Sequence, residues 1–477
     1  MERKNITKSA RLLLTVWNVG LFAMIWLVYY GKYTFETYML LGSAVTILLF
    51  YIVYNAFCNL YKAFRFASSS IGETVFSQFI SFGITDLLLY VECCLIYNQY
   101  VNVWPGVGVV AAQLAGTALM VLGTKRYFMK SVPPKKTVLI YGVKIPSEEA
   151  EAFKERILKK YEHLFRIETV ESEETDWNRL QNCITESDTV LLYELSYRKR
   201  ALIVDLCIEQ RKNLYFTPRV DDIILQGCTP KHLLDTPLMK YDYAYRENGK
   251  CIRKRCFDIF FSLLMLIITS PIMLLTAIAI KIEDHGPVFF RQKRCTKDAR
   301  VFEILKFRSM IVDAEKNGAR PCAVGDSRIT GVGRFIRATR IDELPQLLNI
   351  LKGDMSFVGP RPERVEHVEE YLKELPEFAN RMKVKGGLTG YAQIYGKYNT
   401  SAYDKLRLDM MYIENQSLIL DLKILMLTVR TLFQSEATEG FTEEKSREMN
   451  ENTKNVSQVI EMDAAVEGYT EMRQMVK

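Results

Sequence analysis

The chain has 477 residues, of which 49% are hydrophobic and 25% charged, and its formal net charge is +7. This length exceeds what one hydrophobic core ordinarily supports, so we expect two or three domains. The ten cysteines include no Cys-x-x-Cys pair, which argues against a zinc site and against a secreted disulfide framework. A modest basic excess beside apolar segments indicates a cytoplasmic, lipid-facing surface rather than a nucleic-acid partner.

Four apolar stretches come first, at about 12–30, 37–60, 74–97 and 103–123. Each is near the ~20 residues that cross a hydrocarbon layer of ~30 Å. Basic residues precede the first stretch, lie between the second and third, and follow the fourth, whereas the loop before Val103 carries no charge. The positive-inside rule then predicts a four-span bundle, residues 1–130, with both ends in the cytosol.

Residues 131–245 alternate short β-rich runs with helical ones. Thr137–Gly142 and Asp188–Tyr193 have the pattern of buried parallel strands, and Ser147–Tyr161 and Tyr197–Gln210 that of amphipathic helices. This alternation is typical of a Rossmann-like α/β domain. After Gly142 the chain reads Val-Lys-Ile-Pro, without the glycines of a phosphate fingerprint. We therefore expect a structural or regulatory domain that holds no dinucleotide.

Residues 250–285 form a second kind of membrane element. Cys256 to Ile280 is an apolar run that is charged only at Asp258 and interrupted by Ser270-Pro271. Proline lacks a backbone donor, so a kink or break is expected there. The two legs would measure about 22 and 15 Å, too short to span the layer singly. A kinked fifth span is one alternative, but basic residues on both flanks favour a re-entrant helix whose ends both lie in the cytosol.

Candidate phosphate-binding groups begin in the next region. Phe302–Met310 alternates and, as a strand, would project Lys306 and Arg308 from one face, either towards a phosphate or as a solvated edge. Asp342 and Glu343 precede Pro345 and a run with helical spacing. They are therefore predicted at a helix N-terminus, where free N–H groups favour phosphate. The alternative is that Asp342 only caps the helix.

A proline-flanked arginine follows in Gly359-Pro-Arg-Pro362. The two prolines restrict the backbone around Arg361, and a guanidinium matches phosphate oxygens in two-point hydrogen bonding. A surface turn with an incidental arginine is the alternative.

Four motifs that follow one another along the chain resemble those of one family. They are Lys306-Phe-Arg-Ser-Met310, Asp342-Glu-Leu-Pro-Gln-Leu347, Gly353-Asp-Met-Ser-Phe-Val-Gly-Pro-Arg-Pro362 and Gly387-Leu-Thr-Gly390. The family is that of the bacterial polyprenyl-phosphate sugar-1-phosphate transferases, in the long form with four N-terminal spans. The resemblance implies a membrane α-helical bundle, then a Rossmann-like domain, then a small α+β catalytic domain, residues 286–435, on a re-entrant helix. A weakly ordered charged tail, residues 436–477, is expected to follow.

The resemblance also implies a reaction and residue roles. Hexose-1-phosphate would pass from a UDP-sugar, with glucose or galactose expected, to undecaprenyl phosphate, and UMP would be released. Asp342 is the implied nucleophile of a covalent aspartyl-phosphosugar intermediate, and Glu343, with Asp342, the implied Mg²⁺ ligand. The implied phosphate-binding residues are Lys306, Arg337 and Arg361, and Arg308 and Arg340 are expected to bind substrate or phosphate beside them. The enzyme would act at the bacterial cytoplasmic (inner) membrane, facing the cytosol, in the first membrane step of surface polysaccharide synthesis; a homo-oligomer stays one option.

Two departures from the family pattern are visible. Gly386-Gly387 stands where the family usually has Pro-Gly, so a looser loop is expected, and the segment after Arg294 lacks the usual glycines. Two other functions make different predictions. An NAD-dependent sugar-nucleotide dehydratase or epimerase predicts a glycine fingerprint that the sequence lacks. An inactive scaffold or regulator of polysaccharide assembly predicts a damaged dyad or arginine set, and both are intact.

Overall fold

The computed structural model describes residues 2–34, 39–66, 68–241, 251–312, 314, 326–396 and 400–432. The chain divides into two units, Met1–Thr217 and Pro218–Lys477. The charged tail predicted for residues 436–477 lies outside the described residues.

Long apolar helices open the first unit: α1 (Glu2–Ile25), α2 (Met39–Leu60), α3 (Ile71–Tyr97) and α4 (Trp104–Ser131). A π-helical turn, Trp26–Tyr30, and a short helix, Gly31–Thr34, extend α1. All four are long and apolar enough to cross a membrane, which confirms the predicted spans. Between them, Phe22 stacks on Phe50 with ring centroids 4.2 Å apart, and Asn18 Nδ2 donates to Tyr54 Oη at 3.2 Å. Apolar side chains such as Leu40 remain exposed on the outside.

An α/β region follows the bundle, as expected. Its parallel sheet has the order β2-β1-β3-β4, with strands β1 (Lys135–Tyr141), β2 (Phe165–Ser172), β3 (Thr189–Tyr193) and β4 (Asn213–Phe216). The connecting helices are α5 (Ser147–Tyr161), α6 (Trp177–Glu186) and α7 (Tyr197–Glu209). Alternate strand residues face opposite sides: Leu139 packs with Phe153 of α5, whereas Ile140 packs with Leu180 of α6 and Ile203 of α7. Helices therefore cover both faces.

The second unit begins inside the range 131–245 that the sequence pattern placed in one domain. Its first elements are α8 (Val220–Gln226) and the hairpin strands β5 (Thr229–Leu233) and β6 (Thr236–Lys240). Val220 and Ile223, 3% and 0% exposed, lie in the core of the second unit beside Met410. Their spacing indicates a buried helix face, but nothing local says which core that face joins.

The apolar run beyond Lys250 forms one helix, α9 (Cys251–Asp284), of 34 residues. The break predicted at Ser270-Pro271 is absent, because the helix continues through both residues. Pro271 has no N–H for the carbonyl of Ile267, four residues earlier. The Ser270 hydroxyl donates to that carbonyl instead, at 2.9 Å, so the orphan acceptor is satisfied. The membrane path of α9 stays a prediction.

The remaining elements mix short strands and helices: β7 (Phe289–Cys295), β8 (Val301–Phe307), α10 (Gly331–Ala338), α11 (Gln346–Lys352), β9 (Ser356–Val358), α12 (Val365–Glu374), β10 (Gly387–Thr389), α13 (Tyr391–Tyr395), α14 (Ala402–Glu414) and α15 (Leu418–Leu432). Short 3₁₀ turns span Lys297–Ala299, Ile341–Glu343 and Pro376–Lys383. Strands β7 and β8 pair antiparallel, and β9 and β10 pair parallel. Phe302, Ile350, Phe357 and Phe378 meet in one core.

Helix α9 lies along this region and is fastened at both ends. Near its start, Arg255 Nη1 donates to the carbonyl of Ile350 at 2.6 Å. Near its end, Glu283 Oε1 accepts from the N–H of Gly331 at 2.7 Å. Other side chains of the helix, including Ile267 and Leu275, are exposed and apolar. One face of α9 therefore packs against the folded domain, and another presents exposed apolar side chains.

Candidate active site

Glu343 is the point where three separate segments meet. It ends the 3₁₀ turn Ile341–Glu343 between α10 and α11. Its Oε1 accepts from Arg361 Nη2 at 2.6 Å and from Lys306 Nζ at 3.1 Å. Lys306 lies on β8 and Arg361 in the loop after β9. Three of the predicted site residues are thus brought together around one carboxylate oxygen.

The charge state of Glu343 follows from these contacts. Burial opposes ionisation, but Arg361 and Lys306 outweigh it and hold the pKa of Glu343 well below its usual range. In return, Glu343 raises the pKa of Arg361. Glu343 is therefore an ionised, fixed group rather than a proton donor.

Asp342 has a different environment from its neighbour. Its side chain is half-buried, and no donor from the described residues lies within hydrogen-bond distance of it. Burial raises the pKa of Asp342, and Glu343 adds to this, while Lys306, Arg337 and Arg340 act in the opposite direction. A carboxylate that is not engaged in holding the fold can attack or ligate another group.

The backbone around the dyad differs from the predicted helix N-terminus. Helix α11 begins at Gln346 with Pro345 as its N-cap, and no side chain caps it. Asp342 and Glu343 therefore lie in the turn before the helix, and Asp342 is not its cap. Arg340, which precedes this turn, has left-handed backbone angles of φ 59° and ψ 15°, uncommon for a residue with a side chain. Its Nη1 lies 4.0 Å from Glu343 Oε1.

The other two predicted phosphate-binding arginines have different positions. Arg337 lies in the last turn of α10, close enough to influence Asp342 electrostatically. Arg308 is buried and pairs with Asp284 at the end of α9. Strand β8 ends at Phe307, so the alternation that was expected to align Arg308 with Lys306 stops between them. The described contacts of Arg308 fasten β8 to α9 and do not reach the dyad.

The loop that carries Arg361 is tightly packed. A Cβ on Gly386 would lie 2.5 Å from Pro362 Cγ, so no side chain fits there. The N–H of Gly386 donates to Thr296 Oγ1 at 3.1 Å, a bond that proline could not make. The looser loop expected from Gly386-Gly387 is therefore not observed, because the glycine fills a close contact and adds a hydrogen bond.

Residues behind this loop were not identified from the sequence. Arg381 Nη2 donates to the carbonyl of Arg361 at 3.0 Å and to Asp409 Oδ2 at 2.7 Å. The side chains of Arg381 and Asp409 are both buried. Arg294 Nη1 donates to the carbonyl of Pro362 at 3.1 Å. Burial and the charge of Arg361 lower the pKa of Arg294 to about 10. These contacts join positions far apart in the chain, so no local pattern signals them.

The donor set can be compared with the requirements of magnesium. Within the described ranges, no group of three or more His, Cys, Asp or Glu side chains has the geometry of a metal site. Mg²⁺, however, is usually held by one or two carboxylates together with water and substrate phosphates. Asp342, which is not hydrogen-bonded to described donors, and the adjacent Glu343 fit that mode of binding.

Comparison with known proteins places this site in a matched region. A family model described as bacterial sugar transferase matches residues 249–435. UDP-N-acetylgalactosamine-undecaprenyl-phosphate N-acetylgalactosaminephosphotransferase of Aeromonas hydrophila is 46% identical over 182 residues, which cover 38% of this chain and 43% of that protein. UDP-glucose:undecaprenyl-phosphate glucose-1-phosphate transferase of Caulobacter vibrioides is 42% identical over 190 residues, covering 39% of this chain and 71% of that one.

A third relative is shorter. The sugar transferase EpsL of Bacillus subtilis, described as uncharacterized, is 43% identical over 185 residues, which cover 39% of this chain and 89% of EpsL. The chain thus spans nearly all of EpsL but less than half of the Aeromonas protein. The matched region 249–435 contains Lys306, Asp342, Glu343 and Arg361.

Proposed function

Because the chain belongs to the bacterial sugar transferase family, we propose that it transfers hexose-1-phosphate from a UDP-sugar to undecaprenyl phosphate and releases UMP. The observation that carries this proposal is the contrast between the two acidic neighbours. Asp342 has no hydrogen bond from a described donor, whereas Glu343 is held ionised by Arg361 and Lys306. The Asp342 carboxylate is therefore available to react, while the Glu343 carboxylate holds Arg361 and Lys306 in place.

In the first step, an Asp342 oxygen attacks the sugar-bearing phosphorus. A new O–P bond forms, the bond from that phosphorus to the bridging oxygen breaks, and UMP leaves with the electron pair. An aspartyl-phosphosugar remains on the enzyme. Splitting one difficult transfer into two steps is the usual advantage of a covalent intermediate. Lys306, Arg361 and Arg340 lie where they would balance the charge of the diphosphate.

In the second step, an oxygen of undecaprenyl phosphate attacks the same phosphorus, and the Asp342 carboxylate leaves. The lipid phosphate is already ionised at neutral pH, so this attack needs no general base. The products are the lipid-linked sugar diphosphate and the free enzyme. Mg²⁺, held by Asp342 and Glu343 with substrate oxygens, would neutralise the diphosphate.

The attachment of α9 supports a one-sided arrangement on the membrane. Its anchors at Arg255 and Glu283 are separated by about 40 Å of helix at 1.5 Å per residue. A helix crossing a ~30 Å layer would place them on opposite sides. Both anchors nevertheless contact one folded domain. We infer that this domain lies on the cytosolic face of the bacterial inner membrane, where nucleotide sugars are made, and that both ends of α9 lie on that face.

The sugar is proposed only as a hexose, with glucose or galactose expected. The Aeromonas and Caulobacter relatives are named for N-acetylgalactosamine and glucose respectively, so the family accommodates more than one. Lipid-linked hexose would then enter surface polysaccharide synthesis.

The direct test is UMP release by the full chain in membranes, with undecaprenyl phosphate and a panel of UDP-hexoses. UMP should appear with at least one donor, and Asp342→Asn should abolish it while leaving the protein membrane-bound and folded. Asp221→Asn, at an exposed carboxylate of the same unit, is the matched control and should retain activity. Without lipid acceptor, radiolabelled sugar should stay on the protein. More than a few per cent of activity in Asp342→Asn would exclude Asp342 as the nucleophile.

A further inference from the structure

A buried carboxylate lies at one edge of the parallel sheet in the first unit. Glu173 follows β2 and is 4% exposed. Its Oε1 accepts from the N–H of Val143 at 2.9 Å. Its Oε2 accepts from the N–H of Ser196 at 3.0 Å and from the Ser196 hydroxyl at 2.8 Å. Two loops thus aim three donors at one side chain.

The position of these loops in the sheet is informative. The strand order is β2-β1-β3-β4, so the chain leaves β1 towards one side and later returns to pair β3 on its other side. Helix α5 covers one face, and α6 and α7 cover the opposite one. The gap between the carboxyl ends of β1 and β3 is the switch point of this topology. Open α/β sheets bind ligands there, commonly through a phosphate on backbone N–H groups.

Two details describe how the loops that hold Glu173 are arranged. A Cβ on Gly142 would lie 2.0 Å from the carbonyl oxygen of Glu194. The glycine therefore permits the loop after β1 to approach the loop after β3. Ser196 is the N-cap of α7, yet its side chain makes no capping hydrogen bond. Its hydroxyl donates to Glu173 instead, although serine at this position usually accepts from the helix.

We propose that the carboxyl edge of this sheet is an oxyanion site that the chain fills with its own Glu173 carboxylate. The tethered carboxylate satisfies the donors that a phosphate would otherwise bind, and it loses no translational freedom in doing so. Inorganic phosphate and nucleotides are therefore excluded from the switch point. The ligand class that fits the site once the carboxylate is removed is a small oxyanion.

The test is amide hydrogen exchange of the full chain in detergent, with and without millimolar inorganic phosphate. In the native protein, phosphate should leave exchange around Val143 and Ser196 unchanged. In Glu173→Ala, exchange in both loops should rise about tenfold or more, since charged hydrogen bonds are lost. Phosphate should return it towards the native rate, and chloride at equal ionic strength should not.

Two matched variants make the result specific. Glu173→Gln keeps the volume but turns a donor towards one of the N–H groups, so exchange should rise and phosphate should not restore it. Glu171→Ala removes a different buried carboxylate, which lies on β2 and forms an ion pair with Arg179. In this variant, phosphate should not slow exchange at Val143 or Ser196. Phosphate protection of these loops in the native chain, or its absence in Glu173→Ala, would overturn the proposal. Equal rescue of Glu173→Gln would overturn it as well.

Discussion

Arg361 Nη2 lies 2.6 Å from Glu343 Oε1 across a sequence separation of 18 residues. This ion pair joins the turn before α11 to the loop after β9. Lys306 completes it from β8 at 3.1 Å, so the arginine and the lysine share one carboxylate oxygen. The position and the ionised state of Glu343 therefore depend on both cations.

Arg361→Ala should therefore reduce kcat/KM by about 10²–10³-fold, the usual cost of losing a donor to developing charge. Arg361→Lys should recover little, because an ammonium does not reproduce the guanidinium fork. Steady-state UMP release measures both. Arg291→Ala, which removes an exposed arginine paired with Glu303 on β7 and β8, is the control and should leave the rate unchanged. Similar losses in the two alanine variants would contradict a specific role.

The pH profile should report Asp342. Burial raises the pKa of this carboxyl, and only its ionised form can attack phosphorus. The rate should therefore fall as pH drops through that raised pKa, so the acid limb of kcat/KM should lie above the ordinary aspartate value of about 3.9. Glu343 stays ionised over this range, because its pKa is well below the usual one. An acid limb at or below the ordinary aspartate value would be the contrary result.

Ala299→Gly should stabilise the second unit. Ala299 has a φ of 56°, a left-handed conformation that costs a residue with a Cβ about 1–2 kcal/mol. Thermal unfolding of the full chain should move to higher temperature. Ala201→Gly, at an exposed position inside α7, is the opposite control, because glycine costs roughly 0.5–1 kcal/mol in a helix. Destabilisation by both changes would show that Ala299 carries no such strain.

The orientation of the second unit can be measured in intact cells. Cys322 lies outside the described residues, so a cysteine at an exposed site of β8, Glu303→Cys, is the better reporter. Its labelling by a membrane-impermeant reagent should exceed that of the parent chain only after the cells are permeabilised. Asn98→Cys, in the exposed loop between α3 and α4, should react without it, since that loop is predicted to face outwards. Labelling of Glu303→Cys from outside would place α9 across the membrane.

Removal of the first unit tests the division of labour. A chain beginning at Pro218 should insert and release UMP, because every proposed catalytic residue lies within Pro218–Lys477. A chain beginning near Lys250 loses α8, whose Val220 and Ile223 are buried in that unit. It should be less stable by several kcal/mol, as each large apolar side chain removed from a core costs about 2–5 kcal/mol. A folded but inactive chain from Pro218 would mean that the first unit contributes to catalysis.

Local sequence was sufficient wherever a property belongs to consecutive residues. The four spans follow from long, mainly apolar runs, since bilayer thickness dictates their length. The strands around Val138 and Val190 follow from short buried runs of β-branched and aliphatic residues. The acidic dyad Asp342-Glu343 and the proline-flanked Arg361 likewise consist of neighbouring residues and are visible in the sequence.

Tertiary structure decided what depends on partners distant in the chain. Helix α9 is held against its unit by Arg255, whose Nη1 donates to the carbonyl of Ile350, 95 residues later in the chain. Arg308 pairs with Asp284 while Lys306, two residues earlier, reaches Glu343. The physical reason is common to both. A motif specifies which groups the chain carries, but a hydrogen bond or ion pair forms only with the donor or acceptor that packing brings within about 3 Å, and that choice is made by the whole fold.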